Sequence, residues 1–173
     1  MVTIDLITGF LGSGKTTFLK KYAEYLMDQG LHIGILENDF GAINVDMLML
    51  HELRGDQCEL EMIAGGCDAE SHRRRFRTKL ISMRMCGYDR VLVEPSGIYD
   101  VDEFFDVLRE EPLDQWYEIG NVIAILDARL ENNLSQQADY LLASEAANAG
   151  KVILSHADAA TREQCEDTVA HLN

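Results

Sequence analysis

Gly9-Phe10-Leu11-Gly12-Ser13-Gly14-Lys15-Thr16 decides the fold. The octapeptide fits the pattern G-x-x-x-x-G-K-[ST] without deviation, and its flanks supply the context that pattern needs. Before it, Val2-Thr3-Ile4-Asp5-Leu6-Ile7-Thr8 reads as a buried strand. After it, Phe18, Leu19, Tyr22 and Leu26 recur at helical spacing from Lys15 to Gln29, and Gly30 is a helix stop. Between strand and helix, Gly9, Gly12 and Gly14 let the backbone turn its N–H groups against phosphate oxygens, and Ser13 is a further candidate for binding the nucleotide. The amino-terminal end of the helix adds its partial positive charge. Lys15 is placed to bridge β- and γ-phosphates and the Thr16 hydroxyl to ligate Mg²⁺, with Thr17 nearer the α-phosphate.

Outward from the loop, Leu31-His32-Ile33-Gly34-Ile35-Leu36, Val91-Leu92-Val93, Asn121 to Leu126 and Val152-Ile153-Leu154 read as further strands. Helical stripes lie between them: residues 70 to 86, then Val101, Phe104, Phe105 and Leu108, then Leu134, Ala138, Leu141 and Leu142, and last Cys165, Val169 and Leu172. Apolar strands alternating with helices predict an α/β fold of three layers, the P-loop NTPase fold, with a mostly parallel sheet covered on both faces. Ligands in such sheets sit at the carboxyl ends of the strands. That rule gathers the loops after Thr8, Leu36, Val93 and Leu154 into one crevice.

The length of 173 residues suits a single domain, so residues 1–173 are read as one nucleotide-binding domain. A formal net charge of −15 opposes nucleic acid or an anionic membrane as partner. The cysteines Cys58, Cys67, Cys86 and Cys165 are scattered and form no CxxC pair, which suits free thiols in a reducing compartment. The start at Met1-Val2-Thr3-Ile4-Asp5 is not that of a signal peptide, and no apolar run reaches the roughly 18 residues that span a bilayer. The expectation is a cytoplasmic protein.

Two more segments bear on the crevice. In Val91-Leu92-Val93-Glu94-Pro95-Ser96-Gly97 an apolar strand ends on a carboxylate, with glycine three residues later. Glu94 is the candidate acid that holds the metal through its water shell, and Gly97 the candidate γ-phosphate sensor. Glu37-Asn38-Asp39-Phe40-Gly41 follows the second strand. Either Glu37 or Asp39 can ligate a metal or orient the attacking water. The segment reads equally as a turn, since Asn, Asp and Gly are turn formers.

Together these segments resemble the CobW-like GTPases, relatives of the UreG and HypB metallochaperones. The resemblance rests on Thr8 to Thr17, on Glu37-Asn38-Asp39-Phe40-Gly41 with Asp46, on Gly65-Gly66-Cys67 and on Glu94-Pro95-Ser96-Gly97. It implies a GTPase that couples hydrolysis to the handling of Zn²⁺ or Co²⁺, with a client metalloprotein and a partner or second copy that completes the site. Three departures stand out. The family's G-C-x-C-C metal motif is reduced to Cys67, followed by Asp68, Ala69 and Glu70; Cys67 is either a small buried residue of a Gly-Gly turn or a metal ligand with Glu70, His72 or Glu37. The guanine-reading N-K-x-D is replaced by Ser155-His156-Ala157-Asp158, where Asp158 keeps the acceptor that favours GTP, Ser155 stands in for the asparagine and His156 for the lysine stem, with ATP as the other nucleotide. The chain ends one strand and helix short of a domain of this kind, which implies a portion of a longer protein or a naturally short one.

His72-Arg73-Arg74-Arg75-Phe76-Arg77 is the densest basic stretch. It reads as a solvated face paired with nearby carboxylates or as a docking surface. The leading expectation for the chain is an Mg²⁺-dependent nucleoside triphosphatase using Lys15, Thr16, Glu94 and Asp39. The alternatives are an ATP-dependent small-molecule kinase and a nucleotide-regulated binding module without hydrolysis.

Overall fold

A computed structural model describes residues 1–10, 12–39, 45–64, 68–95, 101–129 and 136–172. Its sheet has the strands β1 (Val2–Thr8), β2 (Ile33–Asp39), β3 (Cys58–Ala64), β4 (Arg90–Glu94), β5 (Tyr117–Asp127) and β6 (Lys151–Ser155). They lie in the order β3-β2-β4-β1-β5-β6, and each neighbouring pair is parallel. The helices are α1 (Lys15–Asp28), α2 (Val45–Leu50), α3 (Ala69–Arg84), α4 (Val101–Leu108), α5 (Leu113–Trp116), α6 (Gln136–Asn148) and α7 (Arg162–His171). This is the three-layer α/β fold of P-loop NTPases.

Alternation along the strands builds two cores. Ile4 and Leu6 of β1 face Phe76, Leu80 and Met83 of α3 and Phe104 of α4. Ile7 and, from β2, Ile33 and Ile35 face Leu19, Ala23 and Leu26 of α1. The strand order reverses direction about β1, so the carboxyl end of β1, where the glycine loop begins, lies at the switch point that binds ligands in open α/β sheets.

The structure corrects several boundaries. β2 begins at Ile33 and continues through Asp39, so Glu37, Asn38 and Asp39 end a strand and do not form the turn that their residue types suggest. β2 is flanked on both sides, pairing Asp39 with Ala64 and Glu37 with Glu94, and ladder bonds on two edges hold this polar run extended. β3 was not expected. Its Cys58-Glu59-Leu60-Glu61-Met62 alternation is that of an edge strand, and the outer carboxylates take the Tyr88 hydroxyl and the Lys79 ammonium. In α4 the buried stripe is Val101, Phe104, Val107 and Leu108, with Phe105 half-buried. In α7 the expected apolar stripe does not reach the core: Val169 is exposed, whereas Thr168 is buried and donates to the Ala128 carbonyl at 3.1 Å.

A polar cluster crosses the α1 face of the sheet. Asp5, fully buried in β1, accepts from the Asn121 N–H at 2.6 Å, the Tyr22 hydroxyl at 2.8 Å and the Arg90 guanidinium at 2.7 Å. The β1–β5 register slips between Ile4 and Leu6, where this carboxylate takes the Asn121 backbone donor. A Cβ at Gly120 would overlap Asp5 Oδ1, so the close approach needs glycine there.

The basic stretch at the head of α3 is paired. Arg73 and Arg77 converge on Glu110, and His72, buried at 3% exposure, meets Glu103 at 3.1 Å. Its cations lie at the positive end of a helix dipole, and Asp68 offsets that. Asp68 caps the helix by accepting from the Ser71 N–H at 2.8 Å, a bond that holds its carboxyl below the usual carboxylate range. Among the described residues no helix is long and apolar enough to cross a membrane.

Candidate functional site

The glycine loop leaves β1 at Thr8 and enters α1 at Lys15. Gly9 has φ 140°, and a Cβ there would overlap the Ile125 carbonyl oxygen of β5. Gly14 caps α1 in the left-handed region at φ 91°, without a side-chain hydrogen bond to the helix and without an acidic residue in the first turn. The first N–H groups of α1 are left for an anion, which is what a phosphate site requires. Ser13 Oγ is buried and has no hydrogen-bond partner among the described residues, a donor suited to the same anion. The Lys15 ammonium, 6% exposed, lies across the loop and donates to the Phe10 carbonyl at 3.0 Å. Thr17 faces solvent.

Thr16 and Glu94 meet at the mouth of this loop. The Thr16 hydroxyl donates to Glu94 Oε1 at 2.9 Å, and both residues are buried. Glu37 stands beside Glu94 in register on the adjacent strand, and both are 3% exposed. Register partners project from the same face of a sheet, so two carboxylates share a desolvated corner. Such a corner calls for cations, and its hard oxygen donors suit Mg²⁺. The residues present therefore fit an Mg²⁺–nucleotide complex.

The expected transition-metal ligands divide. Cys67 lies outside the described residues, as do Gly97 and the side chain of Asp39. His72 is turned to Glu103 and Glu70 is exposed on α3, leaving Glu37 as the buried carboxylate of that expected set. Among the described residues no group of three or more His, Cys, Asp or Glu side chains could hold a metal ion. The residue after Cys67 is the helix cap Asp68, a use of that position which the sequence did not disclose.

On the other side of the loop, β5 and β6 end together. A Cβ on Gly14 would stand 3.6 Å from the Ser155 Cβ and 4.0 Å from the His156 ring, so Ser155 and His156 border the loop as expected. The Ser155 hydroxyl donates to the Leu126 carbonyl at 3.1 Å. His156, in the left-handed region at φ 53°, meets Asp127 at 3.1 Å, and Asp158 is exposed. Asp127 and Arg129 were not foreseen. The Arg129 guanidinium binds both Asp127 oxygens, at 3.0 and 2.8 Å, and holds that carboxyl down to about 2, with Arg129 N–H and His156 assisting. A folded-state value below the ordinary 3.8 means that this group stabilises the fold above about pH 4 and loses that contribution as pH falls towards 2. Acid denaturation of Asp127→Asn, followed by far-ultraviolet circular dichroism, should therefore show a shallower loss of stability over that window than the unaltered protein.

Sequence reasoning also missed Glu145, buried on α6 at 3% exposure, whose carboxylate accepts from the Thr8 hydroxyl at 3.0 Å. No motif marks it, since it is one acid in an otherwise ordinary helix.

Comparison with known proteins agrees with this geometry. Residues 3–173 match the family model described as CobW/HypB/UreG, nucleotide-binding domain. The zinc chaperone YjiA of Escherichia coli (strain K12) is 29% identical over 186 residues, covering 99% of this chain and 55% of YjiA. The zinc chaperone YeiR of the same organism is 28% identical over 164 residues, covering 94% of this chain and 49% of YeiR. The chain thus spans about half the length of these curated relatives. The crystal structure of the Zn(II)-bound YjiA GTPase from E. coli superposes with a TM-score of 0.63 at 21% identity, over 99% of this chain and 54% of that one, a likeness of fold. By its glycine loop, its parallel sheet and the match along nearly its whole length, the chain belongs to the CobW/HypB/UreG family of nucleotide-binding domains.

Proposed function

We propose that residues 1–173 act as one nucleotide-binding domain that binds GTP with Mg²⁺ and hydrolyses it, in the service of zinc handling for a client metalloprotein. The observation that carries this reading is the Thr16–Glu94 contact of 2.9 Å at the head of an uncapped α1. In that arrangement the loop N–H groups and Lys15 hold the phosphates, Thr16 and Glu94 hold the ion, and Gly97 reports the γ-phosphate. Mg²⁺ held by Thr16 and Glu94 would supply charge neutralisation at the phosphates. Glu37 or Asp39 orients the attacking water.

Zn²⁺, with Co²⁺ as a second cargo, is the metal suggested by the names of YjiA and YeiR. Cys67 and Glu37 are the proposed ligands from this chain. Asp158 supports GTP over ATP, with Ser155 and His156 lining the base side. The charge of −15 disfavours nucleic acid or an anionic membrane as partner, and the scattered cysteines support a cytoplasmic setting; a client protein or a second copy of the chain is suggested by the family.

Phosphate release with GTP and with ATP, each with and without Zn²⁺, tests the reading. The expected result is slow turnover of GTP over ATP in Mg²⁺, modulated by Zn²⁺, and a Glu94→Gln variant slowed on the order of 10²-fold. Transfer of phosphate to a metabolite would favour a kinase, and tight binding without release would leave a nucleotide-regulated module.

A further inference from the structure

Glu145 is a buried carboxylate that the nucleotide site as described leaves unused. Its Oε1 accepts from the Thr8 hydroxyl at 3.0 Å. Its Oε2 is buried with no hydrogen-bond partner among the described residues. Thr8 is the last residue of β1, itself 1% exposed, and Gly9 is the first of the loop. The residue from which the phosphate loop departs is therefore held by a side chain 137 residues away in sequence.

The setting is tight on both sides. The Ile125 carbonyl presses on Gly9 from β5, at the place where any Cβ would overlap it. Burial pushes the Glu145 carboxyl up, and the Thr8 hydroxyl and the positive charge of Lys15 work against that by favouring the ionised form. An apolar residue would fill this position against the sheet at less desolvation cost than a carboxylate. What an apolar residue cannot do is accept from the buried Thr8 hydroxyl.

We propose that Glu145 is a positioning residue for the phosphate loop: by fixing the Thr8 hydroxyl at the end of β1 it sets the direction in which the loop leaves that strand. That direction aims the later N–H groups and Lys15 at the phosphates. The inference rests on the nucleotide-binding reading given above.

The test is equilibrium binding of GDP in Mg²⁺ to the unaltered protein and to Glu145→Ala, Glu145→Gln, Thr8→Val and the Thr8→Val/Glu145→Ala double variant, with thermal melting in parallel. Glu145→Ala should weaken GDP binding roughly tenfold or more, because small misplacements of a binding constellation carry large penalties. Glu145→Gln keeps an acceptor oxygen and should stay within about threefold of the unaltered protein. The double variant should bind no more weakly than Glu145→Ala alone, since both changes remove one contact. Unchanged GDP binding in Glu145→Ala, a glutamine as weak as the alanine, or additive losses in the double variant would each overturn the inference. If Glu145→Ala does not fold, Thr8→Val and Glu145→Gln decide: weakened binding in the first alone supports it, and equal behaviour of the two overturns it. Failure of the unaltered protein to bind GDP overturns the functional reading and this inference with it, whereas binding kept in Glu145→Ala overturns the inference alone.

Discussion

Replacing Lys15 with alanine should remove nucleotide binding while leaving the fold intact. In the structure its ammonium is buried across the loop, held only 3.0 Å from the Phe10 carbonyl and therefore poised over the space that the loop N–H groups enclose. Hydrogen bonds to charged groups contribute roughly 1.5–3 kcal/mol each. A lysine that bridges the β- and γ-phosphates makes at least two of them to GTP, so affinity for GTP should fall on the order of 10²–10⁴-fold, and affinity for GDP, which has no γ-phosphate, by less. The measurement is a titration of each nucleotide by calorimetry, with circular dichroism and melting temperature as controls. Affinity kept within a few-fold of the unaltered protein would mean that the loop is not the phosphate site.

Asp5→Ala should do the reverse, costing stability and leaving the loop chemistry alone. The carboxylate ties four elements: its own strand β1, Tyr22 on α1, Arg90 on β4 and Asn121 on β5. Removing it leaves the Asn121 N–H and the partly buried guanidinium of Arg90 without their acceptor in a desolvated place. Breaking a buried pair in this way costs about 3 kcal/mol, and for a chain of this length that lowers the melting temperature by about 6–12 °C. Asp5→Asn retains one acceptor oxygen and should fall between the two. Differential scanning calorimetry distinguishes the cases, and a melting temperature unchanged by Asp5→Ala would show that the cluster contributes nothing net.

The contrast between these residues explains what could be read in advance. Lys15 belongs to a contiguous octapeptide whose chemistry depends on local backbone, so its proposed role at the phosphates can be read from spacing alone. Asp5 sat within a mostly apolar strand as its one charged letter, and its partners come from positions 22, 90 and 121, brought together by the fold. Glu145 is the same case, a helix residue given meaning by the end of β1. Strand β3 escaped notice because an edge strand alternates polar and apolar residues, whereas the buried strands were found as apolar runs. Glu37 and Asp39 read equally as site residues and as a turn, because residue type does not disclose the ladders to β3 and, at Glu37, to β4 that hold them extended. The strand-end acid Glu94 and the hydroxyl Thr16 were both named from sequence, and their 2.9 Å contact supports the pairing.

The most direct test of the central claim, a loop that binds Mg²⁺–GTP, is a calorimetric titration of the unaltered protein with GTP in Mg²⁺ and again in a chelator. The prediction is saturable binding at one site per chain that weakens when Mg²⁺ is removed, with ATP binding more weakly than GTP. No heat of binding from either nucleotide under both conditions would contradict it.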